Sequence, residues 1–305
     1  MNSDIQIVDV APRDGFQAVK PLIEVERKAH VVRALADAGL ERIETGAFVS
    51  PKAVPQMADT AALHRSLRDL DSVQLSALIA NTRGASSALE AGVRDLVYVF
   101  SVSPAHNKAN VNRSVDESIE GFGEVVSVLR GESRFHLRVN VATAFDCPFD
   151  GNVEFDAVIA CLDKVTDLGV DVEFGLCDTT GRAFPDRVGA LFERCMERFG
   201  AGGACDWAFH GHDTFGLGVA NAIAAYQAGV RVFDSAAAGL GGCPFAPGAT
   251  GNTATEDLVF TFENMGINTG IDLDKLLAAA DGIAELPGAS IGGHLRFVPR
   301  SRLHS

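Results

Sequence analysis

The chain has 305 residues, 47% of them apolar and 22% charged, which is ordinary globular usage with ample material for a large core. Lys plus Arg is 26 against 40 for Asp plus Glu, a formal charge of −14. A surface this acidic repels phosphate backbones and anionic membranes, which argues against nucleic acid or membrane as a partner and requires any anionic ligand to meet a locally basic site.

Short segments rich in β-branched residues predict eight strands: Ile5–Val10, Arg42–Thr45, Val73–Ala80, Asp95–Val102, His136–Ala142, Val170–Cys177, Ala204–His210 and Arg231–Ala236. Helical spacing fills the intervals. Over 25–38, Val25, Ala29, Val32, Leu35 and Ala36 form one stripe. Similar stretches cover 56–68, 83–91, 116–130, 153–168, 186–199, 216–228 and 254–264. Several stop at a glycine just before the next strand, as at Gly39, Gly92, Gly169 and Gly229. Repeated strand–helix units imply a parallel sheet, and eight favour a closed (β/α)8 TIM barrel of the α/β class. The rival is an open doubly wound sheet. It wants a glycine-rich phosphate turn after the first strand, and Val10-Ala11-Pro12-Arg13-Asp14-Gly15 is not one. No linker is apparent, so a single domain over 1–305 is expected, with the barrel at about 4–265 and a C-terminal extension at about 266–305 holding one further helix, Asp272–Ala284. The N-terminus lacks a basic region followed by an apolar one, no run of ~20 apolar residues occurs, and the six cysteines lack CxxC spacing. The expectation is a cytoplasmic protein with free thiols.

Barrel chemistry collects at the carboxyl ends of the strands. Unusual polar residues stand there: Arg13-Asp14-Gly15 after strand one, Glu44 in strand two, Asp178-Thr179-Thr180-Gly181 after strand six and His210-Gly211-His212-Asp213 at strand seven. After strand eight, a charge-free, glycine-rich segment, 237–253, holds Cys243 and Asn252. Side chains two apart on a strand share a face, so His210 and His212 can bind one ion. Asp14 and Asn252 would complete a set of two nitrogens and two oxygens. Without a thiolate this set favours Mg²⁺ or Mn²⁺, with Zn²⁺ an option because histidine suits it. Arg13 reads either as an ion pair that orients Asp14 or as a cation aimed at developing negative charge on a substrate oxygen. Glu44 and Asp178 would orient Arg13 or a ligand histidine. Cys243 reads either as a small residue filling a turn or as a thiol that exchanges a proton on a loop able to close.

The combination resembles the 3-hydroxy-3-methylglutaryl-CoA lyase family, in the metal-dependent barrel superfamily that also holds isopropylmalate and homocitrate synthases. The resemblance covers about residues 4–290. It rests on Pro12-Arg13-Asp14-Gly15-Phe16-Gln17, Ile43-Glu44-Thr45, Phe48-Val49-Ser50-Pro51-Lys52, Val54-Pro55-Gln56-Met57, Cys147-Pro148-Phe149, Asp178-Thr179, His210-Gly211-His212-Asp213-Thr214, and Gly239-Leu240-Gly241-Gly242-Cys243-Pro244 leading to Gly251-Asn252. The condensing synthases lack the Gly-Gly-Cys-Pro pattern. By this resemblance Asp14, His210, His212 and Asn252 are metal ligands. Arg13 neutralises enolate charge, Cys243 transfers protons with His210 as another base, and Glu44 and Asp178 support the site. The implied reaction is retro-Claisen cleavage of a tertiary 3-hydroxyacyl-CoA to acetyl-CoA and a keto acid, an oxo-acid lyase activity, by a homodimer or higher homo-oligomer. The pattern is not followed everywhere. Family residues around strands two, four and five are replaced by Ala47, Pro104, His106, Asn107, Asn140 and Thr143. These, with Gln17, Arg138 and Thr179, are the expected substrate contacts. The changes leave citramalyl-CoA or another branched 3-hydroxy-diacyl thioester as an alternative to the methylglutaryl ester. A Claisen synthase or aldolase on the same barrel is a further alternative.

Overall fold

The computed structural model describes residues 3–132, 134–200, 205–241 and 251–303. Its strands are β1 Gln6–Asp9, β2 Arg42–Phe48, β3 Gln74–Ile79, β4 Asp95–Ser101, β5 His136–Ala142, β6 Asp146–Cys147, β7 Gly151–Asn152, β8 Val172–Asp178, β9 Cys205–Gly211 and β10 Val232–Ser235. β6 and β7 form a small antiparallel hairpin, while the other eight close into one parallel barrel in chain order, β10 returning to β1. The helices are α1 Val25–Asp37, α2 Thr60–Ser66, α3 Thr82–Ala91, α4 Pro104–Val111, α5 Val115–Leu129, α6 Phe155–Thr166, α7 Pro185–Phe199, α8 Gly218–Gln227, α9 Thr255–Asn264 and α10 Leu273–Ala284. The expected (β/α)8 barrel is therefore present. None of the helices is long and apolar enough to cross a membrane, among the described residues.

Local chemistry explains where the elements differ from expectation. The stretch expected as one helix over 56–68 is a 3₁₀ turn, Pro55–Met57, followed by α2. The Gln56 side chain pins that turn by bonding Val19, Pro21 and Ile23 of the preceding loop. α4 was not expected at all. Ser103 caps it, accepting the His106 N–H at 3.0 Å, and Pro104 takes the first turn. Its buried residues are His106 and Asn107, both polar, so apolar periodicity carries no trace of it. β2 runs three residues beyond its expected end, and its register against β3 shifts between Glu44 and Gly46. The C-terminal helix α10 packs on α1 and on the turn after β10.

Outside the barrel wall the core is apolar and aromatic, with Phe174 and Phe192 around Trp207 at 5.5 and 6.4 Å between ring centres. Inside, it is charged. At the amino ends of the strands Arg42 pairs with Glu173 at 2.8 Å and Asp95 at 3.2 Å, and His136 meets Asp95 at 2.8 Å. One layer higher Arg138 reaches Glu173 at 3.3 Å and grips both Asp234 oxygens at 2.8 and 2.9 Å. Gly175 leaves the room this needs, since a Cβ there would collide with the side chains of Arg138 and Asn140.

Candidate metal centre and active site

β1 hands the chain to a π-helical turn, Ala11–Gly15, in which the N–H groups of Arg13, Asp14 and Gly15 all reach the Val10 carbonyl, at 3.1, 2.8 and 3.3 Å. Wide turns of this kind occur mostly at functional sites. Asp9 anchors it. Its carboxylate accepts the N–H groups of Ala11 and Ala237, each at 2.9 Å, and the Thr255 hydroxyl at 2.7 Å. The turn after the first strand and the turn after the last thus share one anchor.

Arg13 is buried between two carboxylates, Asp14 beside it and Glu44 at 2.8 Å. Glu44 points inward because it stands two residues on from Arg42, on the same face of β2. Burial works against the Arg13 charge, but Glu44 and Asp14 outweigh it and raise its pKa, so the guanidinium stays charged. Among the described residues its Nε has no hydrogen-bond partner, and neither has the buried Glu44 Oε1.

His210 and His212 present their rings to the same space, 5.2 Å between centres. One ligand atom each from Asp14, His210 and His212 lies within 4.8 Å of the other two. Asn252 joins them through a bridge to His212, and its Nδ2 donates to Asp14 at 2.9 Å and to the Leu240 carbonyl at 3.0 Å. Gly241 (φ 122°) is what permits this, because a Cβ there would stand 2.6 Å from Asn252 Nδ2. Asn252 Oδ1 is buried and accepts no hydrogen bond among the described residues. His210 Nδ1 lies 3.1 Å from Asp234, which leaves Nε2 as the outward ligand atom. Burial, then His210, pushes the His212 pKa down to about 4 and keeps that imidazole neutral. Burial would raise Asp14, but Arg13, His210, His212 and Asn252 together bring it down to about 2. A carboxylate, two imidazoles and an orphaned amide oxygen fit a divalent ion.

The other expected residues are placed as follows. Asp178 does not reach Arg13 or a ligand ring with its carboxylate. One oxygen accepts the Ala183 N–H at 3.1 Å, and its backbone carbonyl takes the His212 N–H at 3.4 Å. Burial pushes Asp178 up to about 7, against the N–H donors of its own turn. Asn140 accepts from Arg138 Nε at 2.8 Å, so both are held inside the barrel. Thr179 accepts the Thr143 N–H at 2.8 Å, at a backbone position where Thr143 has φ 54°. His106 faces Ser101 at 2.7 Å, and Ala47 is buried, its N–H and carbonyl both bonded to Thr60. Asn107 is a joint between elements. It accepts the Ser101 N–H and donates to Arg113, Ser114 and Ser118. Gln17 is exposed beyond the π turn. Cys243 lies outside the described residues.

Asp234 went unrecognised in the sequence. The available signal was an acidic residue inside a short apolar strand, directly in register with His210.

Fold and site together define a (β/α)8 barrel with a candidate divalent-ion centre at the carboxyl ends of its strands. A family model described as HMGL-like matches residues 4–283, and the chain belongs to that family. It is 39% identical over 298 residues to the hydroxymethylglutaryl-CoA lyase of Pseudomonas mevalonii, covering 98% of this chain and 95% of that protein. It is 40% identical over 294 residues to the (R)-citramalyl-CoA lyase of Chloroflexus aurantiacus, covering 93% and 91%. The solved structure of an HMG-CoA lyase from Acinetobacter baumannii, in complex with coenzyme A and 3-methylmalate, superposes with a TM-score of 0.90 at 36% identity, over 99% of this chain and 98% of that one.

Proposed function

We propose that the chain is a carbon–carbon lyase that cleaves a tertiary 3-hydroxyacyl-CoA to acetyl-CoA and a keto acid. One observation carries this reading: Arg13, Asp14, His210, His212 and Asn252 converge at one rim of the barrel, in a chain alike over its full length to lyases of that chemistry. Asp14, His210, His212 and Asn252 would hold a divalent ion, with Mg²⁺ or Mn²⁺ favoured over Zn²⁺ by the oxygen ligands. Such an ion supplies Lewis acidity to substrate oxygens.

The chain's own groups do the rest. Arg13, held by Asp14 and Glu44, places a fixed positive charge where the thioester oxygen becomes an enolate. His210 Nδ1 faces Asp234 and its Nε2 would face the ion, so the proton traffic would fall to Cys243, acting as a thiolate. Its Sγ takes the proton of the tertiary hydroxyl as the carbon–carbon bond breaks. It then returns that proton to the enolate carbon, giving acetyl-CoA. Glu44 keeps Arg13 aligned, and Asp234 keeps His210 aligned.

The experiment is acetyl-CoA release from a panel that includes 3-hydroxy-3-methylglutaryl-CoA and citramalyl-CoA, with Mg²⁺ or Mn²⁺ and after chelation. Metal-dependent release from at least one of these is expected. The changed residues Ala47, Pro104, His106, Asn140 and Thr143 favour a substrate other than the methylglutaryl ester. No release from any tertiary 3-hydroxyacyl-CoA would sink the reading, and the methylglutaryl ester coming out best would sink the substrate preference.

A further inference from the structure

The opposite end of the barrel carries a concavity of its own. A cavity of about 570 Å³ opens between the end of α2 and the amino ends of β3, β4 and β5, the end of the barrel away from Arg13 and His210. That volume is of ligand size. Its walls are apolar, built from Leu67, Leu70, Val73, Val93 and Phe135. Three exposed arginines also line it, Arg68, Arg94 and Arg134.

Arg94 is partly committed. It donates to the carbonyls of Leu89 and Val93, and Glu132 stands 4.0 Å away. Arg68 and Arg134 have no hydrogen-bond or ion-pair partner among the described residues. The one carboxylate in the lining, Asp95, is already bracketed by Arg42 at 3.2 Å and His136 at 2.8 Å, so it does not oppose an incoming anion at full strength. His64 lines the same space, bonded to Thr45 at 2.6 Å. Burial pushes its pKa down to about 4, so it is neutral and adds no charge.

A chain with a formal charge of −14 keeps phosphates away from most of its surface. A cavity that gathers three guanidinium groups reverses this locally. Guanidinium forks match phosphate oxygens two at a time, and apolar walls suit the uncharged part of such a ligand. We infer that this cavity binds a small phosphorylated molecule with a flat or apolar remainder, of the nucleoside diphosphate class. The inference does not depend on the proposed lyase activity.

The test is calorimetric titration of the full chain with ADP and, separately, with pyrophosphate, at constant free Mg²⁺. ADP should bind, and the double variant Arg68→Ala/Arg134→Ala should weaken that binding at least tenfold. Pyrophosphate, which lacks the apolar part, should bind at least tenfold more weakly than ADP. Both arginines are exposed, so the double variant should keep the parent's unfolding midpoint. If it does not, the two single variants carry the test, each with a loss of at least threefold. ADP is also part of coenzyme A, and binding at the other end of the barrel would survive these substitutions. Undiminished ADP affinity in the variants therefore overturns the inference, as does no ADP binding by the parent. Pyrophosphate binding as tightly as ADP overturns it too, since the cavity would then be only a cationic patch.

Discussion

Charged side chains crowd both ends of the barrel interior, and they pair with one another more completely at the amino end, where even Arg42 Nε and Asp95 Oδ2, which make no hydrogen bond, stand 3.2 Å apart as an ion pair. At the amino end Arg42, Asp95, Glu173 and His136 find one another within 3.2 Å or less through the pairs Arg42–Glu173, Arg42–Asp95 and His136–Asp95. At the carboxyl end Arg13 Nε, Glu44 Oε1 and Asn252 Oδ1 are buried without hydrogen-bond partners among the described residues. Buried polar atoms are costly to leave unpaired. A set that pairs within itself serves the fold, and a set left open among the described residues is suited to a ligand. Arg138 and Asp234 stand where the two meet. The pair closes the lower layer through Glu173 and the upper one through His210.

The comparison can be tested at each level. Glu173→Gln removes a charge shared by two buried arginines. Breaking such a pair costs about 3–5 kcal/mol, so chemical denaturation should show a loss of that order while kcat at 25 °C stays within a few-fold. A variant as stable as the parent would mean the amino end is not a structural layer. Arg13→Met attacks the other end. It should lower kcat about 10²–10³-fold, the equivalent of roughly 2.7–4 kcal/mol, with Mn²⁺ affinity close to the parent's, and should also lower the unfolding midpoint because Glu44 is left buried without its partner. Steady-state rates within a few-fold would reduce Arg13 to an orienting partner for Asp14.

Asp234→Asn probes the junction. It leaves His210 in place but weakens the hold on its Nδ1–H. Loss of a partner of this kind typically costs 10–100-fold in metal affinity, about 1.4–2.7 kcal/mol. A Mn²⁺ titration followed by electron paramagnetic resonance reads this directly. Unchanged Mn²⁺ affinity would assign Asp234 to the lower layer alone.

Legibility in the sequence followed the range of the interaction. The strands and most helices were readable because apolar spacing and glycine stops are local. His210 and His212 were readable because a two-residue spacing on a strand sets a common face whatever surrounds it. Arg13 and Glu44, 31 residues apart, could each be picked out, but their ion pair could not, since it joins the turn after β1 to the inner face of β2. Asn107 reads in the sequence as a substrate contact. In the fold its amide is used up tying β4 to the α4–α5 connection, because α4 forms from a serine cap and a proline rather than from an apolar stripe.

The eight barrel strands and the residue types of the metal set follow from local pattern, since periodicity, glycine stops and spacing act over a few residues and need no partner. Which charges are satisfied and which are left open is a matter of the closed barrel. Asp9 joins turns 228 residues apart, Arg138 meets Asp234 across 96, and Asn252 meets Asp14 across 238. Contacts at such separations exist only once β10 has returned to β1, and no local propensity encodes them. The same closure stacks one charged layer above the other. That stacking makes Glu173 a structural carboxylate and Glu44 a partner of Arg13, although both are glutamates on inner faces of short strands.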